Sequence, residues 1–201
     1  MTDRVRIGVA GGGLMGCGIA TQMAAAGHAV RVFETDGAAA DRVPARCEAI
    51  LDELLAAGAL GEAEAREVLA RVEVTRDVAA LADCGTVFEA IREVLPEKHA
   101  LYARLEPVLA PGATLASTTS GFTPEDLARP LDRPDRFLVA HFWNPPHIVP
   151  LVEVLTTATT RPEVLSGVDH AVSTGLRYHS DSPRLVRPVP RPWARSSSAR
   201  C

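Results

Sequence analysis

Val5-Arg6-Ile7-Gly8-Val9-Ala10-Gly11-Gly12-Gly13-Leu14-Met15-Gly16 runs from a short, mostly apolar stretch into three consecutive glycines and then into a helical pattern. The apolar stretch has the length and composition of a buried strand. Gly11, Gly13 and Gly16 occupy the glycine positions of G-x-G-x-x-G, a hexapeptide that gains meaning only between a strand and a helix. In that setting Gly11 permits a tight turn, Gly13 lets the backbone approach a pyrophosphate, and Gly16 lets the helix pack closely on the strand. Leu14 and Met15 fall in the first turn of the helix, where unpaired amides and a partial positive charge favour an anion.

An acidic residue is expected at the end of the second strand of such a unit, and Glu34 stands there, after Ala29–Phe33. A carboxylate at that position accepts hydrogen bonds from both ribose hydroxyls and repels a 2′-phosphate. NAD is therefore expected rather than NADP, and no arginine at positions 35–40 reverses the choice.

Outward from this unit, strands and helices alternate. Further strands are expected at Val72–Thr75, Thr86–Ala90, Thr114–Ser117, Phe137–His141 and Leu151–Leu155. Helices are expected at Leu14–Ala26, Ala38–Ala57, Glu62–Leu69, Pro96–Leu109 and Pro162–Thr174. The alternation predicts an α/β fold, a Rossmann-type doubly wound sheet that is mostly parallel. The Rossmann domain is expected to fill residues 1–176. Residues 177–201 are rich in Pro, Arg and Ser and are expected to be a disordered or out-of-frame tail; a basic tail for an acidic partner is the functional alternative.

Composition narrows the function. Hydrophobic residues make up 47% of the 201, and the formal net charge is −4, which leaves no basic footprint for nucleic acid. No apolar run reaches the ~18 residues of a membrane span, and no targeting segment is visible, so no membrane partner is expected and the cytoplasm is the default. The four cysteines, Cys17, Cys47, Cys84 and Cys201, form no CxxC pair, which argues against zinc and against a disulfide framework. No metal is expected.

Four motifs in order resemble the 3-hydroxyacyl-CoA dehydrogenase family. They are the GGGLMGCGIA run from Gly11 to Ala20, Glu89-Ala90-Ile91-Arg92-Glu93 with Lys98 shortly after, Ser117-Thr118-Thr119-Ser120-Gly121, and His141-Phe142-Trp143-Asn144-Pro145-Pro146 followed by Leu151-Val152-Glu153-Val154. The resemblance covers about residues 5–176. It implies NAD-dependent oxidation of a 3-hydroxyacyl-CoA to the 3-oxoacyl-CoA. It makes His141 the base and Glu153 its partner, gives Ser120 a hydrogen bond to the substrate oxygen, and sets Glu89 and Lys98 beside the nicotinamide ribose. The chemistry of the residues agrees, since an imidazole changes protonation near neutral pH and a carboxylate can orient it. Two other roles remain open for Ser120 and Glu153: a cap on the helix that follows, and an ordinary strand residue.

The chain also departs from the family. STTSG at Ser117 differs from S-N-T-S-S, and the run from Asn144 to Glu153 also resembles the gulonate dehydrogenase and lambda-crystallin branch. The substrate is therefore open between an acyl-CoA and a small 3-hydroxy acid of the carnitine or gulonate type, and a non-catalytic NAD-binding module is a further alternative. The resemblance stops near Leu176, before the helical C-terminal domain that supplies the family's dimer surface and a substrate-binding Asn. A truncated chain that binds NAD, turns over weakly and forms a homo-oligomer through its exposed face is expected on that basis.

Overall fold

A computed structural model describes residues 5–149 and 151–175. The expectations placed on residues 177–201 lie outside the described residues.

Seven strands form one sheet: β1 (Ile7–Ala10), β2 (Val30–Phe33), β3 (Val72–Thr75), β4 (Thr86–Glu89), β5 (Thr114–Ser117), β6 (Phe137–Phe142) and β7 (Val152–Thr156). Their order across the sheet is β3-β2-β1-β4-β5-β6-β7. All neighbours are parallel except β6 and β7. The helices are α1 (Leu14–Ala25), α2 (Gly37–Ala40), α3 (Val43–Ala56), α4 (Glu62–Ala70), α5 (Leu95–Leu105), α6 (Pro124–Ala128) and α7 (Pro162–Gly175). This is the doubly wound Rossmann arrangement anticipated above, with the order reversing at β1. The crevice at the carboxyl ends of β1 and β4 is where such a sheet binds its ligand.

Central strands are buried on both faces, so they read as continuous apolar runs. Side chains still alternate. Ile7, Val9, Phe88, Leu138 and Ala140 join a core with α1, α3, α4 and α7. Ala10, Val87, Leu115, Phe137 and Val139 join the opposite core with Leu101, Tyr102 and Leu105 of α5 and Leu127 of α6. The two layers cover the sheet on both faces.

Two helix expectations change and one helix is added, each for a local reason. The single helix expected at Ala38–Ala57 is two. Proline lacks the amide that a continuing helix needs and clashes with the carbonyl four residues back, and Pro44 lies in the first turn of α3. Asp36 caps α2 by accepting from the Ala39 amide at 2.7 Å. The helix expected to reach Leu109 stops at Leu105, just before Pro107. The short α6, not placed in advance, starts at Thr123, whose side chain accepts from the Asp126 amide. Thr123 therefore fills the capping role that had been an alternative for Ser120.

Candidate active site and cofactor cleft

The glycine turn is built as the sequence implied. Gly11 has a φ of 114°, in the region open to glycine at little cost. A Cβ on Gly16 would lie 1.8 Å from the Gly11 carbonyl oxygen, so a side chain there is incompatible with the turn. A Cβ on Gly13 would meet nothing within 4 Å, which leaves its backbone open to a ligand. Helix α1 begins at Gly13 with no capping side chain and no acidic residue in its first turn. Leu14 is exposed there, while Met15 is partly buried and packs against the core.

The turn is held from behind. The Gly12 amide donates to Glu34 Oε2 at 2.9 Å, and the Gly12 carbonyl accepts from the Cys17 thiol and from Arg46. Glu34 Oε1 accepts from the Asp36 amide at 3.1 Å. Its carboxylate therefore bridges the glycine turn and the start of α2. Cys17, Cys47 and Cys84 are free thiols. The neighbouring Cys17 thiol holds the Cys47 thiol below its ordinary value.

Gly11, Gly13 and Glu34 line a cleft of about 630 Å³ together with Phe33, Asp36, Ile91, Arg92 and Arg104. The two arginines come from beyond β4, and the sequence reading had not singled them out. Arg92 is paired with Glu97 at 2.7 Å, and the Arg104 guanidinium lies over the Phe33 ring at 5.3 Å. Arg76 reaches the Thr35 carbonyl at 3.4 Å but is not among the residues lining the cleft. The open Gly13 backbone, the uncapped helix and the carboxylate at the ribose end fit NAD.

Discrimination between the two nicotinamide dinucleotides is expected to rest on Glu34. Like charges forced together cost several kcal/mol, so NADH should bind ~10²-fold or more tightly than NADPH. Glu34→Gln keeps an acceptor for Gly12 and removes the charge, so it should narrow the gap. Competitive fluorescence titration measures both affinities, and equal affinities in the parent protein would remove Glu34 as the selector.

At the far side of the sheet, His141 and Glu153 face each other as a register pair of β6 and β7. The imidazole Nδ1 lies 2.9 Å from Glu153 Oε2. A carboxylate only accepts, so Nδ1 donates, and in the neutral ring Nε2 then carries the lone pair. Both side chains are partly exposed, 27% and 38%. Because β6 runs parallel to β5, His141 lies at the same edge of the sheet as the glycine turn. Ser120 is exposed on the loop three residues beyond β5.

Glu89 and Lys98 correct an expectation. Neither faces the nucleotide as an open group, because their side chains are 0% and 1% exposed and pair at 2.6 Å. Glu89 also accepts from Tyr102 at 2.8 Å, Ser117 at 2.6 Å and the Ile91 amide at 3.0 Å. The carboxylate thus spends its acceptor capacity inside the protein, where an unpaired charge would be costly. Burial, then the Glu89 charge, push the Tyr102 phenol far up. Lys98 also reaches Glu93 at 3.2 Å. Glu93 accepts from the Thr119 hydroxyl and the Gly121 amide, the residues flanking Ser120. Burial pushes the Glu93 carboxyl up, but Thr119, Lys98 and Gly121 together outweigh it and hold it below the usual carboxylate value. The pair is thus the anchor of the Ser120 loop. Tyr102, Ser117 and Glu93 were missed as a unit because they come from a helix, a strand and a loop.

Among the described residues no group of three or more His, Cys, Asp or Glu could hold a metal ion. Among them, no helix is long and apolar enough to cross a membrane.

Residues 6–175 match the family described as 3-hydroxyacyl-CoA dehydrogenase, NAD binding domain. The chain is 32% identical over 191 residues to 3-hydroxyadipyl-CoA dehydrogenase of Escherichia coli, covering 93% of this chain and 40% of that protein. It is 35% identical over 178 residues to 3-hydroxybutyryl-CoA dehydrogenase of Mycobacterium tuberculosis, covering 88% of this chain and 62% of that one. Among solved structures, FadB2 of M. tuberculosis superposes with a TM-score of 0.83 at 35% identity, over 88% of this chain and 63% of the other. The chain therefore spans about 40–60% of the length of these relatives.

Proposed function

Because the chain belongs to the 3-hydroxyacyl-CoA dehydrogenase family through its NAD-binding domain, we propose that it serves the oxidation of a 3-hydroxyacyl-CoA to the 3-oxoacyl-CoA. The observation that carries this reading is the His141–Glu153 pair at 2.9 Å, on the same edge of the sheet as the glycine turn. NAD, when bound, supplies the acceptor for the hydride that leaves C3. His141 Nε2 takes the hydroxyl proton, and Glu153 keeps the ring in the tautomer that leaves Nε2 free and stabilises the imidazolium that forms. Ser120, exposed on a loop anchored by Glu93, donates to the substrate oxygen. Glu34, Gly11, Gly13 and the first turn of α1 hold the dinucleotide.

The test is NAD reduction, followed by absorbance, with 3-hydroxybutyryl-CoA and with the corresponding free 3-hydroxy acid. Turnover of the CoA ester, and little or none of the free acid, is the expected result. Faster turnover of the free acid would move the protein to the small-acid branch. NAD binding in a titration without reduction on either substrate would leave a non-catalytic NAD-binding module.

A further inference from the structure

The connection from β6 to β7 is fastened to the cofactor helix and to α3. Pro146 sits on α1 so closely that a Cβ on Gly18 would lie 2.5 Å from its ring. The Gln22 side-chain amide donates to the Pro146 carbonyl. His147, with a side chain only 5% exposed, places Nε2 3.0 Å from Glu53 Oε2 on α3. The carboxylate only accepts, so Nε2 is the donor. His147 Nδ1 and Gln22 Oε1 have no hydrogen-bond partner among the described residues. The Glu53 bond is therefore the polar anchor that holds this buried imidazole in place.

The rungs next to this connection are the ones that matter to the site. Trp143 donates to the Leu151 carbonyl at 3.1 Å; Phe142 then pairs with Val152, and His141 with Glu153. Strand β7 has β6 as its sole neighbour within the described sheet, and the end of such an edge pair opens locally unless something pins it. We propose that His147, held by Glu53, is a positioning residue for His141, keeping the end of the β6–β7 pair closed so that Glu153 stays opposite the imidazole. Its bearing on turnover rests on the role given to His141 above; the fastening itself does not.

Amide exchange by NMR tests the fastening without turnover. Removing the anchor leaves a buried polar nitrogen unpaired, a penalty that corresponds to about tenfold in a local opening equilibrium. Glu53→Ala should speed exchange of the Trp143 amide and of the His141 Nδ1–H by about that factor; His147→Leu, which removes the tether without leaving a buried nitrogen unpaired, should speed it by less. The Ile7 amide, bonded to the Ala29 carbonyl on the far end of the sheet, should not change. His147→Gln, whose side-chain amide can still donate to Glu53, should restore most of the protection. Glu53 is mostly exposed, so Glu53→Ala keeps the test open if His147→Leu fails to fold. Unchanged exchange at Trp143, or an equal rise at Ile7, would overturn the proposal. Faster exchange at Trp143 with unaltered kcat would keep the fastening and remove its bearing on turnover.

Discussion

Replacing His141 with alanine is expected to lower kcat with 3-hydroxybutyryl-CoA by ~10²–10⁴-fold, the usual contribution of a positioned acid–base group. NAD affinity should stay within about twofold, because the glycine turn, Glu34 and the first turn of α1 make no contact with the imidazole that the structure records. Glu153→Gln is the sharper companion. Its amide can still accept from Nδ1–H, so the ring stays oriented, but the charge that stabilises the imidazolium is gone. The fall in kcat should then be smaller than for His141→Ala, and the pH–rate profile should shift. Undiminished turnover in His141→Ala would assign the proton to another group. An unaltered profile in Glu153→Gln would reduce Glu153 to a strand residue.

The second large effect is on stability. Lys98→Met should destabilise the protein by about 3–5 kcal/mol, the cost of removing one partner of a buried pair. Glu89 is fully enclosed, so its carboxylate has no route to solvent once the ammonium is lost. Tyr102, Ser117 and the Ile91 amide donate hydrogen bonds but bring no positive charge. Glu89→Gln combined with Lys98→Met should recover a large part of the loss, because a neutral amide can keep much of the bonding. Urea unfolding with a constant slope measures each variant. A loss below about 1 kcal/mol for Lys98→Met would mean that the pair is not carrying a buried charge. The Ser120 loop should suffer with it, since Lys98 also holds Glu93, and Glu93 holds Thr119 and Gly121. The part of this that depends on the depressed Glu93 carboxyl is present above the ordinary carboxylate range and is lost as the pH falls through the depressed value.

The nucleotide end of the molecule was legible in the amino-acid order, because its constraints are local. Gly11, Gly16 and the start of α1 lie within one turn of chain, and the rule they obey is steric: no side chain fits against the Gly11 carbonyl. Glu34 followed from a single β–α–β unit. The His141–Glu153 pair was legible in part, since a short connection brings two adjacent strands into antiparallel register whatever the rest of the chain does. Pro44 and Pro107 also signalled helix boundaries in the sequence, although periodicity alone ran the helices through them.

What only the tertiary structure decided is which charged groups turn inward. In a doubly covered sheet the central strands are buried on both faces, so alternation does not mark the side that meets a ligand. Glu89 and Lys98 carry the composition of a cofactor contact, yet the packing of α5 on β4 and β5 closes them into a core with Tyr102 and Ser117. His147 and Glu53, separated by 94 residues, meet because α1, α3 and the β6–β7 connection stack in one layer. Sequence alone determined the fold class and the dinucleotide end, where backbone sterics act between near neighbours. Three-dimensional packing decided the polar network and the fastening of His141, because burial and pairing between distant segments belong to the assembled molecule and not to any stretch of it.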